Sequence, residues 1–395
     1  VARREPLFGG LTRNTGLLAL SSLFSDISTE MLYPVLPVFL TQTLGAGGAV
    51  VGLIEGVAQA TQNIVQGFSG SLSDRLARRK PIALVGYALS ALSKPLIGLS
   101  TSWSGVLGAR FMDRLGAGSR SAPRDALVAA SADEAHRGKA FGLEGAGDNA
   151  GAFFGPLIAV ALISGLAIQL RWIFYLAVIP GLLAFLMVLL VREQPAAVEA
   201  KAKIDVSPAR LPAGYHRYLI ATAIFGLGNS SNAFLILQIR ALGASLPTTI
   251  LIYAGFNLAA ALVSYPAGWL SDRVGRRNLL LGGQLLFVAA YVGFGLSHDL
   301  VLIGAMFGLY GAFQGVFRAV GKALAADFAP PHLRASAVGW YSATVGLAAL
   351  AASLVAGVVW DRIDHAVVFL VGAGFAALGA IALVFLVPKD GARRG

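Results

Sequence analysis

The chain has 395 residues, 56% of them apolar and 13% charged, where soluble globular chains run near 45–50% and about 25%. That balance excludes a water-soluble enzyme of one or two domains, and the spread of apolar residues along the whole length excludes a single-span anchored protein. A net charge of +11 would point to nucleic acid in a soluble chain. Here the basic residues sit in short segments between apolar runs, so membrane lipids with anionic headgroups are the expected partner and nucleic acid is not. With no cysteine there is no disulfide framework, thiol nucleophile or cysteine metal site.

Apolar segments run at about 16–43, 48–72, 81–100, 103–131, 139–165 and 170–191, and again at about 214–242, 247–271, 279–297, 300–326, 335–359 and 364–387. Each is long enough to cross a hydrocarbon core of roughly 30 Å as a helix. The expected fold is all-α and integral to the membrane, with twelve transmembrane helices in two six-helix bundles, residues 1–191 and 214–395. Residues 192–213 between them belong to the longest polar stretch, rich in proline and mixed charge, and are expected as a cytoplasmic linker. No small-residue cleavage site follows the first apolar run, so that segment is expected to direct insertion itself.

Lysine and arginine set the orientation. Placing both termini on one side collects there Arg3, Arg4, Arg13, Arg75, Arg78, Arg79, Lys80, Arg137, Lys139, Arg273, Arg276, Arg277, Arg334, Lys389, Arg393 and Arg394. The opposite loops hold little beyond Arg171 and Arg362. Both termini are therefore expected in the cytoplasm, with the inner (plasma) membrane as the location. The chain also repeats: GSLSDRLARRK from Gly70 returns as GWLSDRVGRRN from Gly268, half a chain later, each between the second and third apolar segments of its half. A parallel repeat of two six-helix halves is an organisation of secondary transporters, with the substrate site where the repeats meet.

Ionisable groups inside spans are costly and turn toward a cavity or a partner. The first segment carries Asp26 and Glu30, one helical turn apart, and the second carries Glu55. The fourth carries Arg110, Asp113, Arg114, Arg120, Arg124 and Asp125, and the fifth Glu144 and Asp148. In the second half the charges are mostly basic: Arg240, Arg318 and Lys322. Carboxylates grouped in a low-dielectric cavity take up and release protons near neutral pH. Asp26, Glu30, Glu144 and Asp148 are thus the proton-coupling candidates, Asp26 and Asp148 foremost. Their alternative role is permanent pairing with arginines such as Arg110 or Arg114. Substrate-contact candidates are Tyr33, Gln59, Asn63 and Arg110 in the first half, and Asn229, Asn232, Gln238, Asn257, Tyr310, Gln314 and Arg318 in the second. The competing role for each is bonding between neighbouring helices. Acids in one half and bases in the other suit a zwitterionic or amphipathic organic solute.

At these residues the sequence resembles the major facilitator superfamily over essentially its whole length. That family's signature between helices 2 and 3, G-x-L-x-D-R-x-G-R-[RK], is matched by Gly70, Leu72, Asp74, Arg75, Arg78 and Arg79, with Ala77 in place of the glycine. The second copy, Gly268, Leu270, Asp272, Arg273, Gly275, Arg276 and Arg277, is complete. Gly142, Gly151, Gly155 and Pro156 fit the helix 5 pattern of proton-driven antiporters, G-x8-G-x3-G-P-x2-G-G, although Ala159 and Val160 replace its last two glycines. Pro34 and Pro37 resemble the P-x-x-P element of the twelve-helix drug/proton antiporters, and Arg110 with Gly116 and Gly118 resembles the superfamily's helix 4 element, although Asp113 and Arg114 stand where a polar residue and a glycine are common.

The resemblance implies secondary transport by alternating access, with the signature loops latching one conformation and Asp125 pairing with the Asp74–Arg78 cluster. It implies proton-coupled export of a small organic molecule by antiport. Symport or uniport uptake of an organic anion or a metal chelate is the rival, favoured by Arg240, Arg318 and Lys322. From a different class stands a membrane-embedded sensor on the same fold. No nucleophile–base pair or metal-ligand cluster marks an enzyme, and no cofactor or metal is expected. Gly145–Gly151 is no nucleotide loop, since no strand precedes it, so a gradient must supply the energy. Each half would supply half the site, and a monomer is expected.

Overall fold

The computed structural model describes residues 6–8, 11–76, 79–132, 136–193, 211–330 and 333–388. A short antiparallel ladder, β1 (Pro6–Phe8) with β2 (Leu11–Thr12), precedes a succession of helices. These are α1 (Arg13–Glu30), α2 (Leu36–Val38) with a π-helical turn over Phe39–Thr43, α3 (Gly48–Leu76), α4 (Arg79–Leu99) and α5 (Trp103–Ala130). Next come α6 (Arg137–Val160) with a π-helical turn over Ala161–Gly165, α7 (Leu170–Leu176) and α8 (Val178–Leu190). The rest are α9 (Ala213–Gly226), α10 (Asn232–Ala241), α11 (Leu246–Val274), α12 (Arg276–Leu296), α13 (Leu300–Asp327), α14 (Arg334–Arg362) and α15 (His365–Leu386).

Eight helical stretches among the described residues are long and apolar enough to cross a membrane: Arg79–Leu99, Arg137–Gly165, Leu170–Leu190 and each of α11 to α15. The other helices fall short for local reasons. α5 carries six charges, α3 is diluted by Glu55, Gln59, Gln62 and Asn63, and α1 and α9 are each cut short by a break. The first break, residues 31–35, contains Pro34, which lacks the N–H that a continuing helix needs. The second, residues 227–231, follows Gly226 and contains Gly228, whose backbone freedom disfavours helix.

Several helix starts are set by single capping side chains. Asp299 accepts from the Leu302 N–H at 2.8 Å, Asp364 from Ala366 at 2.7 Å and Ser245 from Thr248 at 3.2 Å. Between α11 and α12 the chain turns at Gly275 with φ of 87°, a conformation that costs glycine nothing.

The chain forms two compact units, residues 1–36 with 68–203, and residues 37–67 with 204–395. In the first unit α4 packs on α5 and α8, and α1 on α6 and α8. In the second, α12 packs on α13 and α15, and α9 on α14 and α15, the same pairings one repeat later. The fold is therefore an all-α, multi-pass membrane fold with pseudo-symmetric helix packing. Residues 48–67 of α3 lie in the second unit, where Gly52 and Gly56 meet Ser353 and Leu350 of α14. There the Asp361 carboxylate accepts from the Gly48 N–H at 2.7 Å and the Ala49 N–H at 2.8 Å, placing a negative charge on the N-terminus of α3.

Candidate functional site

Along α5, Arg110, Asp113, Arg114, Ala117, Arg120 and Arg124 recur at helical spacing, so one face carries charge over roughly 21 Å. Three helices of the same unit cover that face with polar side chains. α1 contributes Ser22, Asp26 and Glu30, one per turn; α6 contributes Glu144 and Asp148; α4 contributes Ser90 and Lys94.

Acids gather around Arg124. Its guanidinium lies 3.0 Å from Glu144, 3.1 Å from Asp125 and 3.7 Å from Asp148, and donates to Ser22 at 3.2 Å. Ser22 in turn donates to Glu144 at 2.7 Å, fixing that carboxylate against α1. Asp26 stands within electrostatic reach of Asp148, Glu30, Arg120 and Arg124. All four proton-coupling candidates therefore belong to one neighbourhood, which they share with Arg124. Asp125 is half exposed and pairs with its neighbour Arg124. Arg78, its expected partner, lies outside the described residues, as do Ala77 and the side chains of Asp74 and Arg75.

The glycines of the helix 5 pattern build this neighbourhood. A Cβ on Gly151 would sit 2.6 Å from the Leu23 carbonyl oxygen and 2.7 Å from the Asp26 Cβ. One on Gly155 would sit 2.9 Å from the Glu30 Cβ. Only glycine lets α6 lie this close to α1, and the contact points are the two turns that carry the acids. Gly142 has open space where its Cβ would be, and Pro156 is buried within the helix.

Cations gather at the other end of the α5 face, around Asp113. One carboxylate oxygen accepts from Arg110 at 3.0 Å and from Arg114 Nε and Nη2 at 2.9 and 2.6 Å. The second accepts from Ser90 at 2.6 Å and Lys94 at 3.4 Å. Lys94, Arg110 and Asp113 are buried. The Arg110 guanidinium also lies 5.5 Å from the Tyr33 ring, at the break after α1, and Arg120 lies 4.4 Å from the Tyr87 ring. The approach of α4 to α5 again depends on glycine, since Gly86 and Gly116 each stand where a Cβ would meet the other's carbonyl at about 2.5 Å. Lys94 and Ser22 are site residues that the charge pattern alone did not single out. A lone lysine in an otherwise apolar third segment was the available signal for the first; one serine among many gave none for the second.

In the second unit a hydrogen-bonded cluster forms at the break after α9. The Tyr310 hydroxyl of α13 donates to Asn232 at 2.7 Å, lies 3.4 Å from Asn229 and accepts from Gln314 at 3.1 Å. Four substrate-contact candidates thus form one uncharged cluster, with Phe256 stacked on Tyr310 at 5.3 Å. The other candidates lie apart from it. Gln238 is buried and donates to the Phe294 carbonyl at 3.4 Å, Asn257 is buried, and Arg318 is exposed. Gln59 is exposed, and Asn63 donates back to the Gln59 carbonyl at 2.9 Å.

The described signature residues tie helix ends together. Arg276 reaches Asp327 of α13 at 2.5 Å and Asp272 at 3.7 Å, while Arg277 donates to the Leu383 and Val384 carbonyls near the end of α15 at 3.3 and 2.6 Å. Arg273 stacks on Trp269 at 3.7 Å, and Gly268 has open space around its Cβ position. In the first copy Lys80 donates to the Leu189 and Val191 carbonyls at the end of α8, at 2.8 and 2.7 Å. The Arg79 and Lys80 N–H groups donate to Glu193 at 2.7 and 3.1 Å. In both units a base from the repeat satisfies carbonyls at the C-terminal end of the unit's last helix, where cations are favoured.

A multi-pass helical fold with charges paired along an α5 face that three helices cover is an arrangement found in membrane transport proteins. The chain belongs to the Major Facilitator Superfamily, which it matches over residues 18–216 and 218–395. It is 32% identical over 382 residues, 95% of each chain, to an uncharacterised MFS-type transporter of Methanocaldococcus jannaschii. Its fold is similar to that of the nucleoside transporter NupG, with a TM-score of 0.80 at 15% identity, covering 95% of this chain and 100% of that one. It is also similar to the human organic anion transporter MFSD10, with a TM-score of 0.66 at 18% identity, covering 94% and 99%. The chain is thus a secondary transporter of the inner or plasma membrane that moves a small molecule by alternating access.

Proposed function

We propose that the transporter carries a small organic anion inward together with protons. The observation that supports this is the cluster around Asp113, where three buried or nearly buried cations share one carboxylate. Cations gathered in a low-dielectric bundle raise the local positive potential, which favours an anionic cargo. Arg110 is the residue to make that contact, from a helix whose partner Tyr33 sits at the α1 break. Interrupted helices at corresponding places in two repeats mark the substrate path in many transporter folds.

In this reading Asp26, Glu30, Glu144 and Asp148 take up and release the coupled protons, with Arg124 as their counter-ion. Twelve spans result when the interrupted pairs α1–α2 and α9–α10, together with α3 and α5, are counted with the eight apolar ones. Residues 1–191 and 214–395 would be the two bundles, both termini cytoplasmic, and a monomer sufficient. Arg276 with Asp327, and the corresponding first loop, would latch one conformation. Proton-driven export is the second reading, favoured by the seating of the helix 5 glycines on the turns that carry Asp26 and Glu30.

The test is flux in proteoliposomes with an imposed pH gradient, using benzoate, succinate, uridine and the cationic dye ethidium. Accumulation of an anion with an alkaline interior, lost in Arg110→Gln, is expected. Dye moving against the proton flow would establish export instead, and movement of uridine alone would overturn the anion reading.

A further inference from the structure

The first N–H groups of a helix have no partner within it, and a side chain just before the start normally accepts from them. α11 follows this rule, with Ser245 accepting from the Thr248 N–H at 3.2 Å. α3 holds the same place in the first repeat, since each of the two helices runs into its copy of the signature loop. Yet the residues before α3, Leu44, Gly45, Ala46 and Gly47, have no side chain able to accept. Its cap comes instead from Asp361 in the last turn of α14, 313 residues on from Gly48. The carboxylate spans two N–H groups: Oδ1 accepts from Gly48 at 2.7 Å and Oδ2 from Ala49 at 2.8 Å.

An acid in the last turn is poorly placed for α14 itself, because the C-terminal end of a helix favours cations. Its benefit falls on α3. Glycine makes the seat. A Cβ on Gly47 would lie 2.8 Å from Asp361 Oδ2, one on Gly48 2.7 Å from the Trp360 ring, and one on Gly357 2.5 Å from the Gly48 carbonyl oxygen. Trp360 stacks on His365 at 3.8 Å and lies 5.7 Å from Phe234, which holds this end of α14 against α15 and α10. The corresponding end of α6, through its π-helical turn at Ala161–Gly165, has no acid. The repeat therefore does not supply a second device of this kind.

We propose that Asp361 is a latch that holds the transporter closed at the outer surface. α3 belongs by sequence to the first repeat and α14 to the second, although residues 48–67 of α3 and all of α14 share one compact unit. The lysine and arginine bias predicts both of these helix ends outside. Alternating access exposes the cargo site to each side in turn, so a bond from one repeat to the other at the outer surface holds only while that side is shut. Opening hands the Gly48 and Ala49 N–H groups to water, which replaces the carboxylate at a modest cost. The latch biases the outward opening without forbidding it. Neither the identity of the cargo nor proton coupling enters into this role.

Ser353 of α14 is 1% exposed, and its carbonyl oxygen fills the place of a Cβ on Gly52 of α3. Ser353→Cys, as the only thiol in the chain, therefore reports whether α3 and α14 have parted. Its rate of labelling by a membrane-impermeant maleimide on intact cells should be slow, and about tenfold faster when combined with Asp361→Asn or Asp361→Ala. Gly48→Ala keeps the acid but pushes Trp360 off its seat; it should also speed labelling, and it carries the test if the Asp361 variants do not reach the membrane. Ser245→Ala removes a cap of the same kind from α11 and should leave the rate unchanged. An unchanged rate in the Asp361 and Gly48 variants refutes the latch. So does a parent that already reacts as fast as the exposed Asp364→Cys, or an equal acceleration by Ser245→Ala, which marks general loosening. Reaction only after the membrane is opened, in parent and variants alike, overturns the outer placement.

Discussion

Asp113 holds the α4–α5 contact together by accepting five hydrogen bonds, three of them from guanidiniums and one from an ammonium. Its removal differs from the loss of an ordinary surface pair, because the cations it leaves behind are buried. Breaking a buried pair from one side costs about 3–5 kcal/mol, so Asp113→Asn should lower the unfolding temperature in detergent by many degrees. Saturating succinate should recover part of that loss by standing in for the missing charge. A stability unchanged by the substitution would mean that water reaches these groups. At this scale the sequence was only partly legible. Charges in an apolar run announce themselves, so Arg110, Asp113, Arg114, Arg124, Glu144 and Asp148 were visible from composition alone. Their partners depend on which way each helix faces, and that is a property of packing. Ser22 was hidden for this reason, being unremarkable on its own helix and a site residue only when α5 turns its charged face toward it, whereas Lys94, alone in an apolar segment, carried a signal but not the identity of its partner.

Helix packing in the first unit is governed by where side chains are missing. Gly147, Gly151 and Gly155 lie along one face of α6, and a Cβ on each would come within about 3 Å of α1 backbone or side-chain atoms. Substituting Gly151→Leu or Gly155→Leu would push α6 away from α1 and overpack the seam, at about 1–3 kcal/mol each. The same displacement pulls Glu144 off Ser22 and Arg124, so transport should fall further than stability does. Gly142→Ala meets nothing and should change stability by no more than about 0.5 kcal/mol. Comparing unfolding temperatures and flux for the three variants separates a packing motif from a chemical one. Equal losses at 142 and 151 would mean that spacing, not close approach, is what matters. The glycine spacing was plain in the sequence, but its physical use was not, because period alone cannot say what lies opposite a bare backbone. Helix breaks were blurred for a related reason. Residues 31–35 are as apolar as their surroundings, and the short polar run at 229–232 is flanked by strongly apolar stretches, so a hydropathy window averages over both breaks and the first and seventh segments read as continuous.

For the whole molecule, the strongest physical constraint is that a chain with 56% apolar residues must place its few charged connections at the membrane surfaces. The repeat of helix pairings between the units agrees with the sequence repeat half a chain apart, so the pseudo-symmetry was legible before any coordinate. The side on which each turn lies is carried by the lysine and arginine bias alone. That bias makes a definite prediction, and the absence of cysteine makes it simple to read, since any thiol introduced is the only one present. Single cysteines at Ser102, Leu166, His298 and Asp364, all exposed turn positions, should react with a membrane-impermeant maleimide added to intact cells. Cysteines at Lys139 and Asn278, equally exposed, should react only after the membrane is opened. Twelve spans require this strict alternation. If one of the charged or interrupted segments (α1–α2, α3, α5 or α9–α10) failed to cross, every site beyond it would change sides, up to the next such failure. The pattern of labelling would then identify the segment responsible, and the acids and cations of α1 and α5 would have to be reassigned from a transmembrane path to a surface cluster.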